Sequence, residues 1–309
     1  MKFLIIGASG FVGRHALSYV SALGYEALGT RSRDEGDGLL RFDLLEHRIK
    51  DRMPPSWLET GEPVFGVIAA AITQIDRCLR ERELSGRVNV DGTIRLVEDL
   101  AALGVKPVYL SSSFVYDGSV GYYPEDAPCS PVSVYGEQKA AVERHLREHR
   151  PEALILRLDK LVGDEPSERH LFAEWWRWMN EGHPITCIQD QVFAPTFVTD
   201  IAKAIVLGCG RGLSGVYHVA NPEFFTRAEL ASQFVLAARG ETSIVCRSQA
   251  ALNFLDRRPL RSYLDSTKFV TATGMRFTSM REVFTAFLSK CKPAWSATAP
   301  QDSACLGRP

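Results

Sequence analysis

Lys2-Phe3-Leu4-Ile5-Ile6 runs straight into Gly7-Ala8-Ser9-Gly10-Phe11-Val12-Gly13, an apolar pentapeptide followed by three glycines at a spacing of three. The unbroken apolar run suits a strand covered on both faces, and residues 12–23 carry the apolar periodicity of a helix. Glycine permits a tight strand-to-helix turn and lets backbone N–H groups approach a pyrophosphate, whose charge the helix N-terminus favours. The spacing G-x-x-G-x-x-G departs from the commonest dinucleotide fingerprint, and a glycine trio alone arises easily by chance. The strand before it and the helix after it make this turn a phosphate cradle, with Gly7, Ser9, Gly10, Phe11, Val12 and Gly13 as its residues.

The same rhythm continues down the chain. Further strands are expected at residues 25–30, 64–70, 107–111 and 153–158, and helices at 90–103 and 134–149. Gly24 and Gly104 fall just past two helix ends, where a left-handed cap suits glycine. Strands alternating with helices define an α/β fold, a Rossmann-type doubly wound parallel sheet. After Leu158 the alternation becomes irregular. Trp175, Trp176 and Trp178 lie on an amphipathic helix, and aromatics in that pattern belong to a core rather than a site. The segment from Ala194 reads as a loop entering a helix capped by Thr199 or Asp200, residues 215–220 return as a strand, and helices follow at 227–238, 266–273 and 279–290. The expected organisation is a nucleotide-binding domain of residues 1–160 and about 191–220, a smaller C-terminal α/β substrate-binding lobe of about 161–190 and 221–292, and a flexible tail over 293–309.

Composition narrows the class. The 309 residues are 45% hydrophobic, and 36 Lys plus Arg against 37 Asp plus Glu leave no global field that would draw the chain to nucleic acid or an acidic membrane. Seven scattered cysteines show none of the paired spacings of zinc or thiol-redox sites, and the histidines show no ligand spacing, so no metal is expected. The chain begins with a strand-like segment, and no run approaches the ~20 apolar residues of a membrane span. A cytoplasmic protein with reduced thiols is the expectation.

Far downstream stands Tyr135-Gly136-Glu137-Gln138-Lys139. Residues at i and i+4 stack on one helix face, so Tyr135 and Lys139 can point into one cleft, where an ammonium favours ionisation of a phenol. Reducing a ketone needs a hydride source and an acid at the developing alkoxide, and Tyr135 fits the acid. Ser112, just beyond the fourth strand, is placed to hydrogen-bond the same oxygen. NAD-preferring sites carry an acid at the end of the second strand, whereas here Arg31 and then Arg33 follow, and a guanidinium suits a 2′-phosphate. NADP(H) is therefore expected over NAD(H), tempered by Asp34 and Glu35, which stand close enough to pair with the arginines.

With the glycine turn, Phe42-Asp43-Leu44, Ala69-Ala70-Ala71, Asn89 in Val88-Asn89-Val90 and Ser111-Ser112-Ser113-Phe114-Val115-Tyr116-Asp117-Gly118, the chain resembles the extended short-chain dehydrogenase/reductase superfamily over residues 1–290. The resemblance implies that Asp43 and Leu44 contact adenine, that Ala69, Ala70, Ala71 and Ser111 line the cofactor, and that Asn89 supports the active site, with Ser112, Tyr135 and Lys139 catalytic. Finer features resemble the dTDP-4-dehydrorhamnose reductase branch: Ala70-Ala71-Ile72-Thr73-Gln74-Ile75-Asp76, the segment from Ser111, and Arg257-Arg258-Pro259-Leu260-Arg261-Ser262-Tyr263. On that likeness Thr73, Ser113, Phe114, Lys160 and Arg258 face the substrate. Three positions depart from the branch: Ser113 replaces an acid, Phe114 lacks a phenolic hydroxyl, and Lys160 stands where the branch has a tryptophan beside the sugar.

These features point to an NADPH-dependent reductase of a 4-keto nucleotide sugar, with a homodimer as a family-level expectation. Two alternatives stay open. One is an epimerase or dehydratase that retains its nicotinamide, although a dehydratase needs an acid near Ser112 that Ser113 and Phe114 do not offer. The other is an NADP-binding regulatory subunit without turnover, like the relative that partners methionine adenosyltransferase. Arg258 and Arg261 suit a substrate diphosphate, or equally an exposed loop.

Overall fold

The computed structural model describes residues 1–33, 38–59 and 61–291. The tail at 293–309 and the pairing of Asp34 and Glu35 with the arginines lie outside the described residues. The opening apolar run forms strand β1 (Lys2–Ile6), buried along its whole length. Side chains alternate across a strand, so Phe3 and Ile5 enter one apolar layer while Leu4 and Ile6 enter the other.

The remaining strands of the main sheet are β2 (Glu26–Arg31), β3 (Leu40–Arg41), β4 (Val64–Ile68), β5 (Lys106–Ser112), β6 (Leu154–Leu158) and β7 (Gly215–Val219). They lie in the order β7-β6-β5-β4-β1-β2-β3, every pair parallel. This is the expected doubly wound sheet. The winding reverses between β1 and β4, and a crevice opens at the carboxyl ends of strands at such a switch point. The glycine turn follows β1, the alanine triplet follows β4, and Ser112 ends β5, so the fold brings all three to that crevice.

Helices α1 (Phe11–Ala22), α2 (Thr93–Ala102), α3 (Val134–His149), α4 (Leu171–Asn180), α5 (Val198–Gly210), α6 (Arg227–Ala238) and α7 (Met280–Ser289) complete the scaffold. Ala16 and Val20 of α1 pack with Ile201, Ala204 and Ile205 of α5 over one face of the sheet. Leu96 and Leu100 of α2 pack with Val142 and Leu146 of α3 over the other. Gly24 (φ +80°) and Gly104 (φ +70°) end α1 and α2 in the left-handed conformation, as their positions predicted. The helix expected at 90–103 begins earlier, in a π-helical turn, Arg87–Gly92, that buries Asn89. Such turns often mark functional positions.

A separate apolar cluster gathers Phe172 and Trp175 of α4, Ile185, Leu230 and Phe234 of α6, and Phe284 and Phe287 of α7. Trp175 and Trp176 are buried in it, consistent with their exclusion from the site. Short strand pairs link this region to the sheet, Leu161–Val162 with Thr196–Phe197 and Val192–Phe193 with Phe225–Thr226. One local expectation is corrected: Phe197, not Thr199 or Asp200, stands at the cap of α5. The Asp200 carboxylate instead accepts from the Thr278 backbone N–H (2.7 Å) and hydroxyl (3.0 Å), anchoring a distant loop. Among the described residues no helix is long and apolar enough to cross a membrane.

Candidate active site

Gly7 has φ +87°, and a Cβ there would meet the Ala70 nitrogen at 2.8 Å. A Cβ on Gly13 would fall 2.2 Å from the Gly7 carbonyl oxygen, so both glycines are needed for the turn to seat on α1 and on the chain after β4. Thr30, buried at the end of β2, pins the turn from beneath: its hydroxyl accepts from Gly7 N–H (3.1 Å) and its carbonyl from Ala8 N–H (2.8 Å). Thr30 was not among the expected site residues. No side chain caps α1 and no acid occupies its first turn. Its leading N–H groups are therefore disposed for an anion, and Ser9 and Gly10 are exposed there. The cradle fits a dinucleotide pyrophosphate on these observations.

Around the cradle, the Arg31 Nε donates to the Arg33 carbonyl (2.8 Å) at the end of β2. Asp43 accepts from Leu45 N–H (2.8 Å) in a turn that buries Leu44. Ala69 N–H donates to the Ile6 carbonyl (2.9 Å), carrying the β1–β4 ladder one step past the strands. Asn89 clamps the segment that follows, exchanging hydrogen bonds with both backbone groups of Ile72 (2.8 and 2.9 Å). Its amide also donates to Gln138 Oε1 (2.8 Å), and Gln138 donates to the Ser85 hydroxyl (2.8 Å). Gln138, the neighbour of Lys139, thus ties α3 to the segments of Asn89 and Ser85, a role its surroundings in sequence do not signal.

Ser112, Tyr135 and Lys139 come together at the end of β5. Ser133 caps α3 by accepting from Gly136 N–H (3.1 Å), which sets the helix start beside the loop after β5. The Ser112 side chain is near enough to the Tyr135 phenol to favour its ionised form, and the Ser112 oxygen accepts from Phe114 N–H (3.2 Å). Lys139 stands over the Tyr135 ring (5.7 Å) and the Tyr109 ring (4.7 Å), its ammonium donating to the Leu110 carbonyl (2.8 Å). Desolvation raises the Tyr135 phenol above its ordinary range, and the Ser112 hydrogen bond only partly offsets it. Desolvation also lowers Lys139 to about 8, with Glu143 opposing. Burial, with Ser112 opposing, governs the Tyr135 phenol, and the expected lysine effect is not among the causes of its shift.

Ser111 faces the other way. Its hydroxyl donates to Glu143 (2.5 Å), a fully buried carboxylate that also holds Arg157 (2.6 Å). Strand alternation explains the split, and it assigns Ser111 to the framework under α3 instead of the cofactor surface expected for it. Arg157 continues the framework to Tyr116, whose hydroxyl meets His218 Nε2 at 3.0 Å.

Among the residues expected to face a substrate, Phe114 packs edge-on against Tyr135 (5.8 Å) and Thr73 is exposed ahead of the Ile75–Arg80 helix. Ser113 is buried, its hydroxyl donating to Asp159 (2.9 Å), which also accepts from Ala194 N–H (2.7 Å). An acid does therefore approach the serine loop, from the end of β6, contrary to the local reading. Both its oxygens are occupied, so it braces the loop. Arg258 is engaged by Asp76 (3.0 Å) and lies over the Phe254 ring (3.7 Å), and Arg261 donates to the Ser119 carbonyl (2.7 Å). Neither guanidinium stands free for a diphosphate in this arrangement. Lys160 is solvent-exposed beside Asp159, yet crowded enough that desolvation, and then Arg227, lower its ammonium to about 8. Among the described residues no cluster of three His, Cys, Asp or Glu could hold a metal ion.

Fold and site together define an oxidoreductase of the NAD(P)-dependent class that acts on an alcohol or ketone. The chain belongs to the family described as RmlD substrate binding domain, which matches residues 1–292. It is 30% identical over 282 residues to a dTDP-4-dehydrorhamnose reductase of Streptomyces griseus, covering 88% of each chain. It is 25% identical over 284 residues to the methionine adenosyltransferase 2 subunit beta of Rattus norvegicus, covering 87% of this chain and 82% of that one. Among solved structures it resembles the dTDP-4-dehydrorhamnose reductase of Bacillus anthracis in complex with NADP (TM-score 0.80, 23% identity, 94% and 98% covered). It also resembles the UDP-glucose 4-epimerase of Thermus thermophilus in complex with NAD (TM-score 0.76, 22% identity, 94% and 98% covered). At these identities the structural likenesses speak for the fold.

Proposed function

We propose that the chain is an NADPH-dependent reductase of a 4-keto nucleotide sugar. The observation that carries this reading is the gathering of buried Tyr135, Ser112 and Lys139 at the crevice end of β5, with Ser112 favouring the Tyr135 phenolate and Lys139 over the Tyr135 ring one helical turn behind. Bound NADPH would supply the hydride. Tyr135 gives its proton to the ketone oxygen, and Ser112 orients that oxygen and stabilises its developing charge. Lys139 holds the nicotinamide ribose and favours the phenolate left behind. The backbone from Gly7 to Gly13 would hold the pyrophosphate, Asp43 and Leu44 the adenine side, and Arg31 with Arg33 the 2′-phosphate that distinguishes NADP from NAD. Residues 161–190 and 221–292 would form the substrate lobe. The Streptomyces relative's name and the retained Tyr-Ser-Lys group support this reading over the regulatory one suggested by the methionine adenosyltransferase relative.

The test is NADPH consumption with a 4-keto-6-deoxy nucleotide sugar. Net oxidation of one NADPH per sugar is expected, whereas an epimerase consumes none. Tyr135→Phe should lower turnover by about two to four orders of magnitude while leaving the NADPH Kd in place. Wild-type turnover in that variant would remove Tyr135 as the proton donor.

A further inference from the structure

The backbone N–H groups on either side of Tyr135 are both held by side chains. Gly136 N–H donates to the Ser133 hydroxyl (3.1 Å), and Val134 N–H donates to the Asp256 carboxylate at 2.8 Å, 122 residues away along the chain. The first N–H groups of a helix have no partner within it, and a carboxylate there also meets the positive end of the helix dipole. Asp256 therefore fixes the turn of α3 that carries Tyr135, and its own surroundings in sequence do not signal this.

Asp256 lies in a strap, residues 252–262, within the segment expected to form the substrate lobe, and the strap is tied down on several sides. The Asp256 N–H donates to Asp76 (3.3 Å), while Arg258 pairs with Asp76 (3.0 Å) and donates to the Asp256 carbonyl (3.0 Å). Asp76 stands in the Ile75–Arg80 helix, whose Ile75 and Leu79 pack around Val134 and Tyr135. Further along the strap, Arg261 N–H donates to the Gly118 carbonyl (3.1 Å), and a Cβ on Gly118 would fall 2.6 Å from the Pro259 Cα. Contacts to the Ile75–Arg80 helix and to the loop after β5 thus fix where the Asp256 carboxylate stands, so it can hold α3 instead of following it.

We propose that Asp256 is a positioning residue for Tyr135: acting through Val134 N–H, it sets the phenol against the ketone oxygen, so that the proton donor is held in place by the strap as well as by its own helix. The inference rests on the reductase reading above. It deepens that reading by making the strap part of the proton-transfer geometry.

The full chain is assayed with NADPH and a 4-keto-6-deoxy nucleotide sugar. Asp256→Ala should lower kcat by at least about tenfold while the NADPH Kd and the sugar KM stay within about twofold, since a displacement of about 1 Å at a reacting group is felt in the chemical step. The solvent deuterium isotope effect on kcat should rise as proton transfer becomes the slower step, a change that lost fold stability alone does not produce. Asp256→Asn keeps an oxygen for Val134 N–H and should recover most of the loss. Val134→Pro deletes the donor at a helix position that accepts proline, so it should reproduce the loss, and adding Asp256→Ala to it should cost nothing further. Val134→Pro alone carries the test if Asp256→Ala fails to fold. Wild-type turnover in Asp256→Ala, a loss confined to the sugar KM, or full additivity in the double variant overturns the positioning role. A wild type that oxidises no NADPH with the sugar is a different result: the reductase reading then fails, and the positioning of its proton donor falls with it.

Discussion

The α-carbon of Gly136 lies so close to the Phe114 carbonyl that a Cβ on it would stand 2.1 Å from that oxygen. The contact seats the first turn of α3 on the loop after β5 and brings Tyr135 within hydrogen-bonding reach of Ser112. Gly136→Ala must push the helix off the loop, because the obstructing atom is backbone and cannot rotate away. Turnover should fall by more than about tenfold while NADPH affinity stays within about twofold, since a shift of the order of 1 Å at a proton donor is felt mainly in the chemical step. Steady-state kinetics beside a cofactor titration checks it, and unchanged turnover would show that the approach does not position Tyr135.

Lys139, which the proposed mechanism uses, sits buried at a cost in stability. Its ammonium is buried and lowered from 10.5 to about 8, first by desolvation. A base whose folded pKa is depressed binds fewer protons folded than unfolded, so stability rises with pH between about 8 and 10.5, and the cost is fully present below about 8. Replacing it by methionine should stabilise the protein at pH 7, by up to about 3 kcal/mol, while suppressing reduction. Urea denaturation should show the gain over wild type shrinking as pH rises through that window.

The Glu143–Arg157 pair lies under α3 with both side chains essentially unexposed. Glu143→Ala leaves a buried guanidinium unpaired and should cost about 3–5 kcal/mol. Replacing both partners together by leucine and methionine should recover much of that loss. Denaturation midpoints for the two singles and the double separate this from a cavity effect, in which the double would be the least stable of the three.

Arg31 ends β2 beside the glycine turn. If its guanidinium meets the 2′-phosphate, Arg31→Ala should weaken NADPH by about tenfold and leave NADH nearly unchanged, since a charge-assisted contact contributes about 1.5–3 kcal/mol. Equal weakening of both cofactors would place Arg31 in the framework.

Much of the framework was legible locally. A strand buried on both faces must be apolar throughout, so Lys2–Ile6 declared both its conformation and its place inside the sheet. Glycines with positive φ, the i, i+4 stacking of Tyr135 on Lys139 and the helix spanning Val134–His149 likewise follow from short-range geometry. The direction in which Ser111 turns was not legible, because neighbouring serines on a strand differ only in the face they present, and it is Glu143 from another element that decides. Asp159 is the same kind of case: an acid absent from the serine loop arrives from the next strand, 46 residues further along the chain. The sequence by itself determined the glycine turn between strand and helix and the Tyr135–Lys139 pairing on one helix face, since both depend on residues within a turn or two of one another. Only the tertiary structure decided which polar groups find partners, because pairing Arg258 with Asp76 while leaving Arg227 Nε without a hydrogen bond is a matter of which distant elements meet.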